Sequence, residues 1–186
     1  TGEQTTCAVL RNGTAYCWGY NGNYGALGDG TTTHRAEPAS VRGLDTGVAR
    51  ISITRQYTAY APTVCAVRHD GEAFCWGREW SESPHSLCTL GRVGGPDVDY
   101  GRDNRKPGRV TVHKSLKEGY HHIVDIAPAG KHTCASSKNG GVFCWGRGTE
   151  GQVGDTPSNG TAEENAGVSG CSSAGPTLTS TFAGAS

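Results

Sequence analysis

A thirteen-residue pattern returns three times in this chain, and it constrains the fold more than any other feature. It reads Cys7-Ala-Val-Leu-Arg-Asn-Gly-Thr-Ala-Tyr-Cys17-Trp18-Gly19, then Cys65-Ala-Val-Arg-His-Asp-Gly-Glu-Ala-Phe-Cys75-Trp76-Gly77, then Cys134-Ala-Ser-Ser-Lys-Asn-Gly-Gly-Val-Phe-Cys144-Trp145-Gly146. Each copy holds nine residues between its cysteines, a glycine at a fixed offset, an aromatic residue before the second cysteine, and Trp-Gly directly after it. A unit this small cannot bury both faces of a sheet alone, so copies must stack on one another.

The turn dipeptides Asn12-Gly13, Asp70-Gly71 and Asn139-Gly140 lie between short runs with β-branched and aromatic residues, which predicts a β-hairpin in each copy. An odd number of residues between the cysteines suits a three-residue loop with glycine in the left-handed position of a bulge. The cysteines then face each other across the ladder, roughly 4.5–5.5 Å apart at Cα and within reach of a disulfide. The spacing therefore predicts three bonds: Cys7 with Cys17, Cys65 with Cys75, and Cys134 with Cys144. Zinc is the rival use of paired cysteines, but structural zinc sites favour closely spaced pairs such as Cys-x₂-Cys.

Two cysteines remain, Cys88 and Cys171, each in a loop after a hairpin; they are expected to bond to each other, the alternative being a link to another chain. Eight cysteines with six in local pairs point to an oxidising compartment, hence a secreted or cell-surface protein. The chain opens on Thr1 and has no methionine, which suggests a processed protein or a piece of a longer one. With 17 Lys and Arg against 17 Asp and Glu it has no net charge, which argues against a nucleic-acid partner. No apolar run is long enough to span a bilayer. A hydrophobic content of 34% with 29 glycines fits loop-rich β structure rather than helices.

The chain divides into a first repeat over 1–47, a second over 48–119 with a long loop insertion at 79–107, and a third over 120–176. A last stretch, 177–186, reads as the first strand of a further repeat. In the first repeat, five glycines between Gly19 and Gly30 mark tight turns, with Leu27 as the aliphatic anchor, and the proline-led run from Arg35 to Leu44 suits an edge strand. In the second, the insertion replaces that glycine loop.

The third copy runs Ile126-Ala127-Pro-Ala-Gly130-Lys-His132-Thr-Cys134-Ala, then Asn139-Gly140-Gly-Val-Phe-Cys144-Trp145-Gly146, then Gly151-Gln152-Val153-Gly154-Asp155. It resembles the regulator-of-chromosome-condensation repeat. The first copy is similar, with Leu27-Gly28-Asp29-Gly30-Thr31 and a proline-led strand after it; the second lacks the Gly-Gln-Leu-Gly loop. The resemblance implies an all-β propeller of four-stranded blades. Such propellers usually have about seven blades, and three copies with the start of a fourth are too few to close that ring. The remaining blades are expected in sequence beyond this stretch; otherwise copies of the chain share blades, Thr177–Ser186 adding a strand to another copy in head-to-tail assembly.

Trp18, Trp76 and Trp145 are expected between blades, each indole N–H meeting a carbonyl. Trp80, in the insertion, is the expected partner contact. Asn12-Gly-Thr14 and Asn159-Gly-Thr161 are N-glycosylation triplets. Asp97-Val-Asp99-Tyr-Gly-Arg-Asp103 lacks the acidic residue that would complete a calcium loop and reads as a solvated turn. His121, His122 and His132 read as packing or hydrogen-bonding residues. No nucleophile turn with His and acid partners is visible, nor a phosphate loop, so neither enzyme activity, a metal nor a cofactor is expected. The expected function is a non-enzymatic extracellular structural or protein-binding module, its partners other proteins or further copies of itself. The resemblance also implies two alternatives, a secreted enzyme inhibitor and an exchange factor for a small GTPase.

Overall fold

The computed structural model describes residues 1–2, 4–54, 62–78, 105–110, 121–146, 152–153 and 177–181. Among them every regular element is a strand: β1 Thr5–Val9, β2 Ala15–Gly19, β3 Arg35–Ser40, β4 Val48–Ile53, β5 Thr63–Arg68, β6 Ala73–Gly77, β7 Gly108–Arg109, β8 Ile123–Pro128, β9 His132–Ser137, β10 Gly141–Gly146 and β11 Thr177–Thr181. They form three antiparallel sheets, ordered β1-β2-β3, β4-β5-β6-β7 and β8-β9-β10-β11.

Each sheet is built on one of the sequence hairpins. Cys7 stands opposite Cys17, Cys65 opposite Cys75 and Cys134 opposite Cys144. All three pairs are disulfide-bonded, with Cα atoms 4.1 Å apart. The turns are the predicted three-residue loops. The N–H groups of Gly13, Gly71 and Gly140 donate to the carbonyls of Leu10, Arg68 and Ser137, and the three glycines take φ of +81°, +87° and +77°. An asparagine or aspartate precedes each glycine; Asn12 Oδ1 accepts the Thr14 N–H, and Asp70 Oδ1 accepts the Glu72 N–H.

Alternation along these strands gives every sheet two different faces. On the first sheet Cys7, Val9, Ala15 and Cys17 point to the second, where Val64, Ala66, Phe74 and Trp76 meet them. The other face of the second sheet carries Cys65, Val67, Ala73 and Cys75, which pack on Ala135, Phe143 and Trp145 of the third. The rule repeats: the oxidised face of one sheet lies against the Ala–aromatic–Trp face of the next. Hence β5, in the middle, is buried on both faces.

Backbone bonds lock the same joints. The Val48 N–H, at the start of β4, donates to the Gly13 carbonyl at 3.0 Å, and the Ile123 N–H, at the start of β8, donates to the Gly71 carbonyl at 3.0 Å. Each hairpin tip thus receives the first strand of the following sheet.

One expectation changes. Thr177–Thr181 does not begin a further repeat; it is the outer strand of the third sheet, with Cys144 opposite Thr177 and Gly141 opposite Thr181. β10 would otherwise keep an open edge, and β11 closes it as β3 closes β2 and β7 closes β6. The strand that head-to-tail assembly would donate is therefore already paired within its own chain.

Candidate interaction face

The β2–β3 loop shows how this sequence builds an ordered surface without regular structure. Asn21, fully buried, donates through Nδ2 to the carbonyls of Thr31 at 2.9 Å and Thr33 at 3.0 Å, while its Oδ1 accepts the Leu27 N–H at 2.8 Å. Leu27 is fully buried, as its place as the sole aliphatic in the loop requires. Asp29 Oδ1 accepts from the Thr31 N–H at 2.9 Å and its hydroxyl at 2.7 Å, and Oδ2 faces Arg35 at 3.0 Å. Burial alone would raise the Asp29 pKa; the Thr31 hydrogen bonds and the Arg35 charge outweigh it and hold the carboxyl below its usual value.

The second sheet reaches over this loop. Trp76 Nε1 donates to the Ala26 carbonyl at 3.0 Å, and a side chain at Gly28 would come within 2.7 Å of the same nitrogen. The return arm of the insertion lies on the loop as well: the Gly30 N–H donates to the Arg105 carbonyl at 2.9 Å, and a Cβ on Gly25 would collide with Arg105. At the other arm, the Arg78 guanidinium sits 5.9 Å from the centroid of Tyr24, whose side chain is exposed. Tyr20 stacks on His34 at 4.7 Å, and His34 Nδ1 accepts the Asn21 N–H. Arg78 and Arg105, on the two flanks of the insertion, therefore both contact the β2–β3 loop.

The other sequence candidates fall as follows. Trp76 and Trp145 are buried between sheets, as expected, whereas Trp18 is half-buried, and among the described residues no sheet covers its side of β1–β2. Asn12 is exposed at a hairpin tip, but Thr14 of its triplet is buried, its hydroxyl donating to the Asp45 carbonyl at 2.7 Å. His122 packs against the Gly71 turn, and His132 is half-buried beside Gly146. Trp80, Cys88, Cys171, Asn159 and the Asp97–Asp103 stretch lie outside the described residues. A cleft of about 160 Å³ between Gly71, Glu72, Arg109, His121 and Ile123 is smaller than sites that enclose a drug-sized ligand. Among the described residues no three His, Cys, Asp or Glu side chains converge as metal ligands would.

Sequence reasoning missed Asn21 and Asp29 as organisers of the loop, and it left the Trp-Gly glycine unexplained. Gly19, Gly77 and Gly146 take φ of +100°, +88° and +108°, and a Cβ there would strike the carbonyls of Gln4, Pro62 and Lys131 on the neighbouring strand entry. The threefold recurrence of that glycine was the available signal.

Residues 12–61 and 123–152 match the regulator of chromosome condensation (RCC1) repeat. The ultraviolet-B receptor UVR8 of Arabidopsis thaliana is 29% identical over 154 residues, which take in 82% of this chain and 30% of that protein. Among solved structures, human WBSCR16 superposes with a TM-score of 0.62 at 22% identity, over 96% of this chain and 36% of that one. Yeast RCC1 (Prp20), solved bound to Kap60, gives a TM-score of 0.56 at 21% identity, over 85% and 31%. The chain spans about a third of the length of these relatives. At such identities the solved structures establish the fold, and the three sheets are propeller blades.

Proposed function

We propose that this chain, a run of RCC1 repeats folded as propeller blades, is a non-enzymatic protein-binding module of the extracellular space. The observation that carries the reading is the seating of the insertion. Arg105 is docked by backbone on the Gly25–Gly30 loop and Arg78 stands over Tyr24, so both flanks of the insertion are anchored on the same loop. Ordered blade loops that present a long segment are how such scaffolds bind partners. Yeast RCC1, solved with Kap60 bound, lends the general point that this architecture takes protein partners. The disulfide in every blade supports the oxidising side of the membrane over an exchange-factor role in a reducing nucleus. Asn12, exposed at its hairpin tip, is a glycan acceptor in this reading, and loss of mass on glycosidase treatment of native material tests it.

The binding test compares affinity capture from extracellular fluid by the intact chain and by a variant in which 79–104 is replaced with a short Gly-Ser link. Partners that depend on 79–104 support the proposal. Identical capture by both forms contradicts it.

A further inference from the structure

Asn-Gly occurs in this chain at Asn12, Asn21, Asn139 and Asn159, and all but the last lie among the described residues. Glycine has no Cβ to shield its nitrogen, so this dipeptide is the one most open to attack of the backbone nitrogen on the preceding carboxamide. The structure holds the carboxamides in different ways. Asn21 is fully buried, its Nδ2 donating to the Thr31 and Thr33 carbonyls and its Oδ1 accepting the Leu27 N–H. Asn12 is exposed at its hairpin tip, but its Oδ1 accepts the Thr14 N–H at 3.1 Å.

Asn139 takes the same tip position in the third hairpin and is also exposed. There the cap has passed to another side chain. The Gly141 N–H, equivalent to those of Thr14 and Glu72, donates at 3.1 Å to Oγ of Ser137, which is 4% exposed. Leu10 and Arg68 stand at the equivalent place in the other hairpins and carry no hydroxyl, so Asn12 and Asp70 do the capping themselves. The Asn139 carboxamide makes no hydrogen bond among the described residues. The nitrogen it would meet is held alike at both tips: the Gly13 N–H donates to the Leu10 carbonyl at 2.9 Å and the Gly140 N–H to the Ser137 carbonyl at 3.0 Å. The difference lies in the carboxamide.

We propose that Asn139 is a deamidation site, the point at which this protein acquires isoaspartate. The Gly140 nitrogen attacks Cγ of Asn139, and the new C–N bond closes a succinimide ring. The Cγ–Nδ2 bond breaks, and the amide nitrogen leaves as ammonia with the Gly140 proton. Water then opens the ring at either carbonyl, giving aspartate or isoaspartate. Asp70 shows that aspartate fits this turn, where its Oδ1 accepts the Glu72 N–H. Isoaspartate instead adds a methylene to the main chain, in a loop whose register sets Cys134 opposite Cys144. The site is distinct from the insertion, and the proposal does not rest on what the insertion binds.

The test follows each site in the intact oxidised chain, produced without glycans and incubated at mildly alkaline pH. Peptide mapping with fragmentation that separates isoaspartate from aspartate gives the rates. Asn12 gives up a hydrogen bond to react, so Asn139 reacts about fivefold faster than Asn12, and Asn21 does not react detectably. In the reduced, denatured chain the three rates converge. Ser137→Ala returns the Gly141 N–H to Asn139 Oδ1 and lowers the Asn139 rate to that of Asn12. A variant that unfolds declares itself by reaction at Asn21, and the wild-type comparison of folded with denatured chain then decides alone. Asn12 reacting as fast as Asn139 in the folded chain, a difference that survives denaturation, or an unchanged Asn139 rate in folded Ser137→Ala overturns the proposal.

Discussion

Asp29 shows how a single side chain sets a loop. Its carboxyl is 8% exposed and ties Thr31 and Arg35 to the turn that carries Leu27 and the Trp76 contact. Its folded pKa lies below the unfolded one, so the stabilisation is present above the unfolded value and is lost as pH falls through the folded value. Asp29→Asn should cost about 1–2 kcal/mol at neutral pH, most of it from the Thr31 bonds, because Arg35 is 43% exposed and its charge is screened. Denaturant melts against pH check the sign: the gap between variant and wild type starts to narrow below about pH 4 and closes only as pH falls through the folded value. None of this was legible in the sequence, where Asp29 is one polar residue among glycines. Only folding brings Thr31 and Arg35 to one carboxylate. Leu27 was legible, because an apolar side chain alone in a polar loop has one place to go.

At the scale of elements, the hairpins were the most readable part. Turn dipeptide, odd spacing and alternation all point to the same three-residue loop, and local rules that agree need no knowledge of the rest of the chain. Pro38 likewise marked β3 as an edge strand. The misplaced element was Thr177–Thr181, because pairing of an uncharged strand of small residues is decided by which edge is open rather than by its own pattern. The Cys65–Cys75 bond sits within the second joint, packed among Val67, Phe143 and Trp145. Replacing both cysteines with alanine should lower stability by roughly 3 kcal/mol, read as a shift in denaturation midpoint with the slope unchanged. The same exchange at Cys134 and Cys144, which are half-buried on the outward face of the third sheet, removes the cross-link but less packing and should cost less.

For the molecule as a whole, the stacking rule decides what each tryptophan does. The repeat made Trp18, Trp76 and Trp145 look alike, and as residues they are; their burial differs because their neighbours do. Trp76 is fully buried and bonded to Ala26 across the first joint, so Trp76→Ala should cost about 3–5 kcal/mol. Trp18→Ala should cost well under half of that, since Trp18 is only half-buried. Paired thermal melts read the difference, and equal losses would contradict the stacking order. A stacked repeat architecture was legible from repetition, and the propeller blade from the family resemblance. The docking of Arg105 onto Gly25 was not, because it joins residues 80 apart whose only shared signal is a glycine.

Cysteine oxidation holds each hairpin shut and is the ground for the proposed extracellular role. The most direct measurement is peptide mapping of protein from its native source, with free thiols alkylated before any reduction. Linked peptides joining Cys7 to Cys17, Cys65 to Cys75 and Cys134 to Cys144 are the predicted result. Alkylated thiols at these six positions in native material would contradict it and would move the protein to a reducing compartment.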